Sequence, residues 1–180
     1  MIDEKLQKVA NRTAKLIGEF LKLPKPEKYE VRLVEENEVE GSVQLSEDKD
    51  HPLIICRVSD EPLAMFTVIG HELRHIHQML YIEEYFQNYS LEEMHDMNAY
   101  NDQPAEIDAN AFTIFLCETI FNVGCPPVEG FSPKIMQKIE KRTIELFHEY
   151  YTDNEFDYLR RRLQNNPIFE IYRNSARKYQ

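Results

Sequence analysis

Along this chain the spacing of apolar residues changes period twice. Ile2, Leu6, Val9, Thr13, Leu16, Ile17, Phe20 and Leu21 fall on one stripe of a 3.6-residue helix, which Pro24 and Pro26 end. Tyr29, Val31 and Leu33 then alternate with Glu30 and Arg32, the period of a half-buried strand. Val43 and Leu45 mark a second short strand. Residues 52–58 form a nearly continuous apolar run, suited to a better-buried third strand. Because the links are short, residues 28–58 are expected to form a three-stranded antiparallel sheet.

Helical period then returns. Ser59 or Asp60 can cap, Glu61 suits the positive helix end, and Pro62 is tolerated in a first turn. From about residue 61 to 82 the pattern is apolar on most sides, through Leu63, Met65, Phe66, Val68, Ile69, Leu73, Ile76, Met79 and Leu80. Such a helix is expected at the centre of the fold. Ser90 and Glu93 have capping-box spacing for a helix reaching about residue 100. Asp102 and Pro104 open another that runs to Val123 and stops at Gly124, Pro126 and Pro127. Amphipathic segments near 133–151 and 153–165 follow, and residues 166–180 carry no clear pattern. The expected class is α+β: a small antiparallel sheet packed on a central helix, with additional C-terminal helices. Residues 1–125 are expected to form the core with its N-terminal helix, and residues 126–180 a helical extension packed on it.

The central helix contains His71-Glu72-Leu73-Arg74-His75, an H-E-x-x-H. Histidines four apart lie one turn above each other on one helix face. Both imidazoles can therefore reach one Zn²⁺ at about 2.0–2.1 Å. Glu72 lies beside this face and can act as general base on a metal-bound water without ligating the metal. On a mostly apolar helix, two histidines and a glutamate need compensation, which a metal supplies.

A catalytic zinc takes a third protein ligand. The metzincin extension requires Gly at 78 and His at 81; Gln78 and Tyr81 stand there, which excludes that class. His77 points to a different side of the helix from His75. Glu106, near the start of the next long helix, is the leading candidate, with His95, Asp102 and Asp108 as rivals. Asn110, one turn beyond Glu106, can bond the second ring nitrogen of a ligand histidine. Ala109 and Ala111 let two helices approach closely. Tyr81, Tyr85, His95 and Tyr100 lie between the two motifs as candidate donors to a tetrahedral oxyanion. Arg74 is expected to pair with an acid.

Charge narrows the partners. In 180 residues, 21 Lys and Arg face 32 Asp and Glu, for a net charge of −11. That balance disfavours direct nucleic-acid or membrane binding. No apolar run is long enough to span a bilayer, and the charged N-terminus lacks a signal-peptide core. Three cysteines without a C-x-x-C pair suit reduced thiols in the cytoplasm, with a Cys117–Cys125 disulfide as the alternative. Residues 75–133 carry 10 acids and no Lys or Arg. Such a stretch is expected to form an acidic rim that attracts cationic peptides. The Arg160-Arg161-Arg162 run sits among acids and reads as a solvated helix face.

His71-Glu72-x-x-His75 followed by Glu106-x-x-Ala109-Asn110-x-Phe112 resembles the gluzincin-type zinc peptidases, and most closely the ImmA/IrrE-like metallopeptidases. The apolar strand at 52–58 and Thr67-Val68-Ile69-Gly70-His71-Glu72 fit the same layout. The resemblance covers roughly residues 28–123. It implies a zincin-like fold, zinc held by His71, His75 and Glu106, Glu72 as general base, and Asn110 behind the ligands. It also implies an extended peptide or protein substrate, in some relatives a cytosolic regulatory protein, paired with a sheet edge. The alternative is a non-proteolytic zincin-fold binding or regulatory protein with a structural metal.

Overall fold

The computed structural model describes residues 3–35, 40–44, 52–124 and 131–180. Helix α1, Glu4–Phe20, begins where the Asp3 carboxylate accepts the Lys5 N–H at 2.8 Å. Of the expected stripe it buries Val9, Thr13, Leu16, Ile17 and Phe20, with Ala10, Ala14 and Gly18 beside them; Leu6 is half-buried and Ile2 lies outside the described residues. Strands β1 (Glu30–Val34), β2 (Gly41–Gln44) and β3 (Leu53–Arg57) form one sheet in the order β1-β3-β2. Leu45, His51 and Cys125 lie outside the described residues, and with Cys125 the Cys117–Cys125 disulfide.

The sheet is mixed, not antiparallel. Strand β3 pairs with β2 antiparallel, Gly41 opposite Cys56, and with β1 parallel, Val31 opposite Ile54. Short links force antiparallel pairing only on strands that are neighbours in space. Here the chain passes from β1 to the far edge before returning. The most apolar strand, β3, takes the central place, and Ile54 and Cys56 are fully buried. Burial, then the negative charges of Glu72 and Glu40, push the Cys56 thiol up to about 12.

The two sheet edges differ. Side chains of α1 cover the outer edge of β1: Asn11 Oδ1 accepts the Val31 N–H at 2.9 Å, and the Gln7 amide donates to the Val31 carbonyl. Strand β2 is the other edge.

Helix α2, Pro62–Tyr81, lies under the sheet and is the central helix the sequence implies. The next helical segment is broken. Ser90 caps only a 3-10 turn, Leu91–His95, and Asp96 caps a separate α3, Met97–Asn101, by accepting from Asn98 and Ala99. Helix α4, Pro104–Leu116, continues into a π-helical turn, Cys117–Phe121, that ends at a left-handed Asn122 before Gly124 is reached. Helices α5 (Pro133–Tyr150), α6 (Asn154–Asn165) and α7 (Glu170–Ala176) complete the described chain.

The C-terminal helices share the core of the preceding segments. Phe20 lies over Phe112 and edge-on to Tyr150, Phe115 packs on Phe156, and Phe66 packs on Tyr172. Tyr172 also bonds Thr13 of α1 at 3.0 Å. Helix α2 has no side-chain cap of its own; Ser175 of α7 accepts the Leu63 N–H at 3.2 Å instead. Residues 166–180, without a clear pattern in the sequence, thus close the N-terminal end of the central helix. Arg160 and Arg161 pair with Asp157 on their own helix, whereas Arg162 is half-buried, with its Nε enclosed and its guanidinium 5.9 Å from the Tyr158 ring. No helix among the described residues is long and apolar enough to cross a membrane.

Candidate metal centre

The mid-helix of α2 and the first turns of α4 meet at three side chains. His71 Nε2 lies 2.9 Å from His75 Nε2, with the rings nearly perpendicular. Glu106 Oε2 is 3.2 Å from His71 Nε2, and Oε1 is 3.2 Å from His75 Nε2. Ligand atoms around a tetrahedral zinc stand about 3.3 Å apart, given zinc–nitrogen distances of about 2.0–2.1 Å. Two imidazole nitrogens and a carboxylate at this spacing form a donor set that can hold a metal ion. Helix α4 packs along α2 here, and Ala105, Ala109 and Ala111 on it are all fully buried.

Glu106 is 1% exposed. Burial opposes its charge, but hydrogen bonds from His71 and His75 outweigh that and hold the carboxyl well below the usual range. For His75, burial likewise opposes charge, and Glu106 reverses the sign to raise it. Glu72 shifts upward because burial dominates the attraction of the two histidines.

The second ring nitrogen of His75 is met by Gln78, the residue that breaks the metzincin spacing. Gln78 Oε1 faces His75 Nδ1 at 2.9 Å, while its amide donates to the Ala105 carbonyl at 3.0 Å and to Asp108 Oδ2 at 2.7 Å. With its amide so committed, only the oxygen is left toward the ring. Nδ1 must then carry the proton, and Nε2 presents a lone pair to the ligand group. The signal in the sequence was the spacing: position 78 is one turn beyond 75 on the same face.

Asn110 occupies a different place from the one expected. Its amide reaches back one turn and donates to the Glu106 backbone carbonyl at 2.8 Å. It steadies the turn carrying Glu106, whereas Gln78 takes the ring nitrogen.

The rival ligands are elsewhere. Asp108 is buried and accepts from both nitrogens of the Arg74 fork, at 2.7 and 3.1 Å, and from Arg142 Nε at 2.7 Å. Arg74 therefore makes the expected acid pair, with its guanidinium 5.2 Å above the Phe112 ring. Asp102 pairs with Lys138 and, at 3.6 Å, with Lys134. His95 is exposed in the 3-10 turn Leu91–His95. Three cations of α5 thus answer two acids of the stretch without Lys or Arg, so this chain itself supplies part of the basic partner that stretch implied.

Among the candidate oxyanion donors, Tyr81 points away and donates to the Lys22 carbonyl at 2.8 Å. Tyr85 is partly buried in the field of Asp108 and Arg142. Tyr100 does lie at the site, through Tyr89, a residue that no motif in the sequence marks. Tyr89 donates to Glu106 Oε1 at 2.7 Å, and its oxygen is 2.7 Å from that of Tyr100.

Strand β2 crosses directly above Glu72. A β-carbon at Gly41 would lie 2.8 Å from Glu72 Oε1 and press on Val68 Cγ1. Position 41 therefore needs glycine for close approach. Gly41→Ala is expected to destabilise the fold by about 1–3 kcal/mol through overpacking, as urea unfolding would register. Metal stoichiometry should not change, because the ligands lie on α2 and α4.

Comparison with protein-family models, with curated proteins and with solved structures finds no match for this chain. The chemistry of the site is therefore read from its own residues.

Proposed function

We propose that this chain is a zinc-dependent metallopeptidase of the gluzincin type, similar to the ImmA/IrrE-like family, with a zincin-like core. The observation that carries the reading is the convergence of His71, His75 and Glu106, with Glu72 buried on the same helix beneath an edge strand. Two imidazoles and one carboxylate suit zinc and leave a fourth position for substrate or water. When bound, the ion would polarise the scissile carbonyl and acidify a water.

The protein's own groups do the rest. Glu72 takes the proton of the attacking water on its carboxylate and delivers it to the leaving amine. Gln78 keeps His75 in one tautomer, and Asp108 holds Gln78. The outer edge of β2, the edge beside Glu72, offers backbone groups to an extended peptide. The exposed Glu83, Glu84, Glu92 and Asp96 favour a substrate segment with positive charge, in a protein of the cytoplasm.

Metal analysis after zinc-replete purification tests the reading. Wild type and His95→Ala are expected to carry one zinc per chain, with peptide cleavage lost on chelation and restored by zinc. Glu106→Gln is expected to lose the metal. Metal-free wild type, or zinc loss in His95→Ala with retention in Glu106→Gln, would overturn it.

A further inference from the structure

A pair of tyrosines grips the third ligand. Tyr89 lies between two 3-10 turns, Glu83–Phe86 and Leu91–His95, and Tyr100 lies in α3. A carboxylate that holds a cation is deprotonated and can only accept hydrogen bonds. The one hydroxyl proton of Tyr89 therefore goes to Glu106 Oε1, at 2.7 Å. The contact between the two hydroxyls, also 2.7 Å, must then use the proton of Tyr100. Both protons run one way, from Tyr100 to Tyr89 to Glu106, and Tyr100 has none left for an oxyanion.

The hydroxyl chain is held from outside. Gln103, at the start of α4, accepts the Ser90 N–H at 2.7 Å and donates to the Ser90 carbonyl at 3.1 Å. The residue next to Tyr89 is thereby fixed to the helix that carries Glu106. The Tyr89 ring also packs against Phe86, with centroids 5.0 Å apart, and against His75 at 6.4 Å.

We propose that Tyr89, backed by Tyr100, is a positioning residue for the metal: its bond to Oε1 fixes the Glu106 carboxylate between the two histidines, each oxygen 3.2 Å from one ring nitrogen. This inference rests on the metal centre proposed above, and it does not require peptidase activity.

The test is zinc affinity by competition with a chromophoric chelator, together with the visible spectrum of the cobalt-loaded protein. Tyr89→Phe keeps the ring and removes the donor. It is expected to weaken zinc binding by about 10–100-fold and to change the cobalt bands. Tyr100→Phe should act in the same direction with a smaller effect. Apo-protein melting curves should match wild type, which separates positioning from a general loss of structure. Wild-type zinc affinity and an unchanged cobalt spectrum in Tyr89→Phe would overturn the proposal, as would a larger effect from Tyr100→Phe. A wild type that binds no zinc would instead overturn the metal centre, and this inference with it.

Discussion

Glu72→Gln is expected to lower kcat/KM for peptide cleavage by about 10²–10⁴-fold while one zinc per chain remains bound. The substitution keeps the shape of the side chain and removes its capacity to accept a proton. Packing is preserved where it is tight, beneath Gly41 and beside Val68. The ligand atoms belong to His71, His75 and Glu106, so the donor set is intact. The amide fills the same volume as the carboxyl, so the melting temperature should stay close to that of wild type. Activity and stability then move apart, which a folding defect cannot imitate. Peptide-library cleavage, metal analysis and a melting curve on the same preparation decide it. Undiminished cleavage by Glu72→Gln would remove Glu72 as the base.

The largest effect on stability is expected at Asp108. Asp108→Ala leaves the Arg74 guanidinium buried with its carboxylate partner gone, and takes one acid from Arg142. Removing one partner of a buried ion pair destabilises by about 3–5 kcal/mol, a large part of the stability of an ordinary domain. Urea titration of the variant should show the midpoint fall with little change in slope. Arg74→Met added to Asp108→Ala should recover part of the loss, because the orphaned charge goes with it. Additive losses in the double variant would show that the pair is not coupled as its geometry indicates. Asp108→Ala also frees the Gln78 amide, so zinc affinity should fall even where the fold survives.

Of the group that could hold a metal ion, the two histidines were legible in the sequence because helical period pairs them, while Glu106 stood among the rivals His95, Asp102 and Asp108. His71 and His75 share a face by spacing, and Glu106 opens the next buried helix. Arg74 was legible as a pair for the same reason, since a cation on an apolar helix needs an acid. Sheet order was not legible. Link lengths say which strands can be neighbours, but β3 moved between β1 and β2 by being the most apolar. The residues around the ligands were hidden by a different cause. Gln78 has an ambiguous amide until its donors are placed, and Tyr89 reaches Glu106 from a loop whose path no period describes. The break at Asp96 shows the same limit: the capping signal of Ser90 is real, yet a second cap six residues on ends its reach.

The cap that Ser175 places on the central helix has a consequence for the order of synthesis. His71, His75 and Glu106 leave the ribosome before α5 and α7 do. Until those helices arrive, Asp108 lacks Arg142, and the start of the central helix lacks its cap. A nascent chain therefore carries every ligand of the centre without the frame that fixes them. A chain built this way completes the frame of its candidate metal centre only once α5 and α7 have been made and packed.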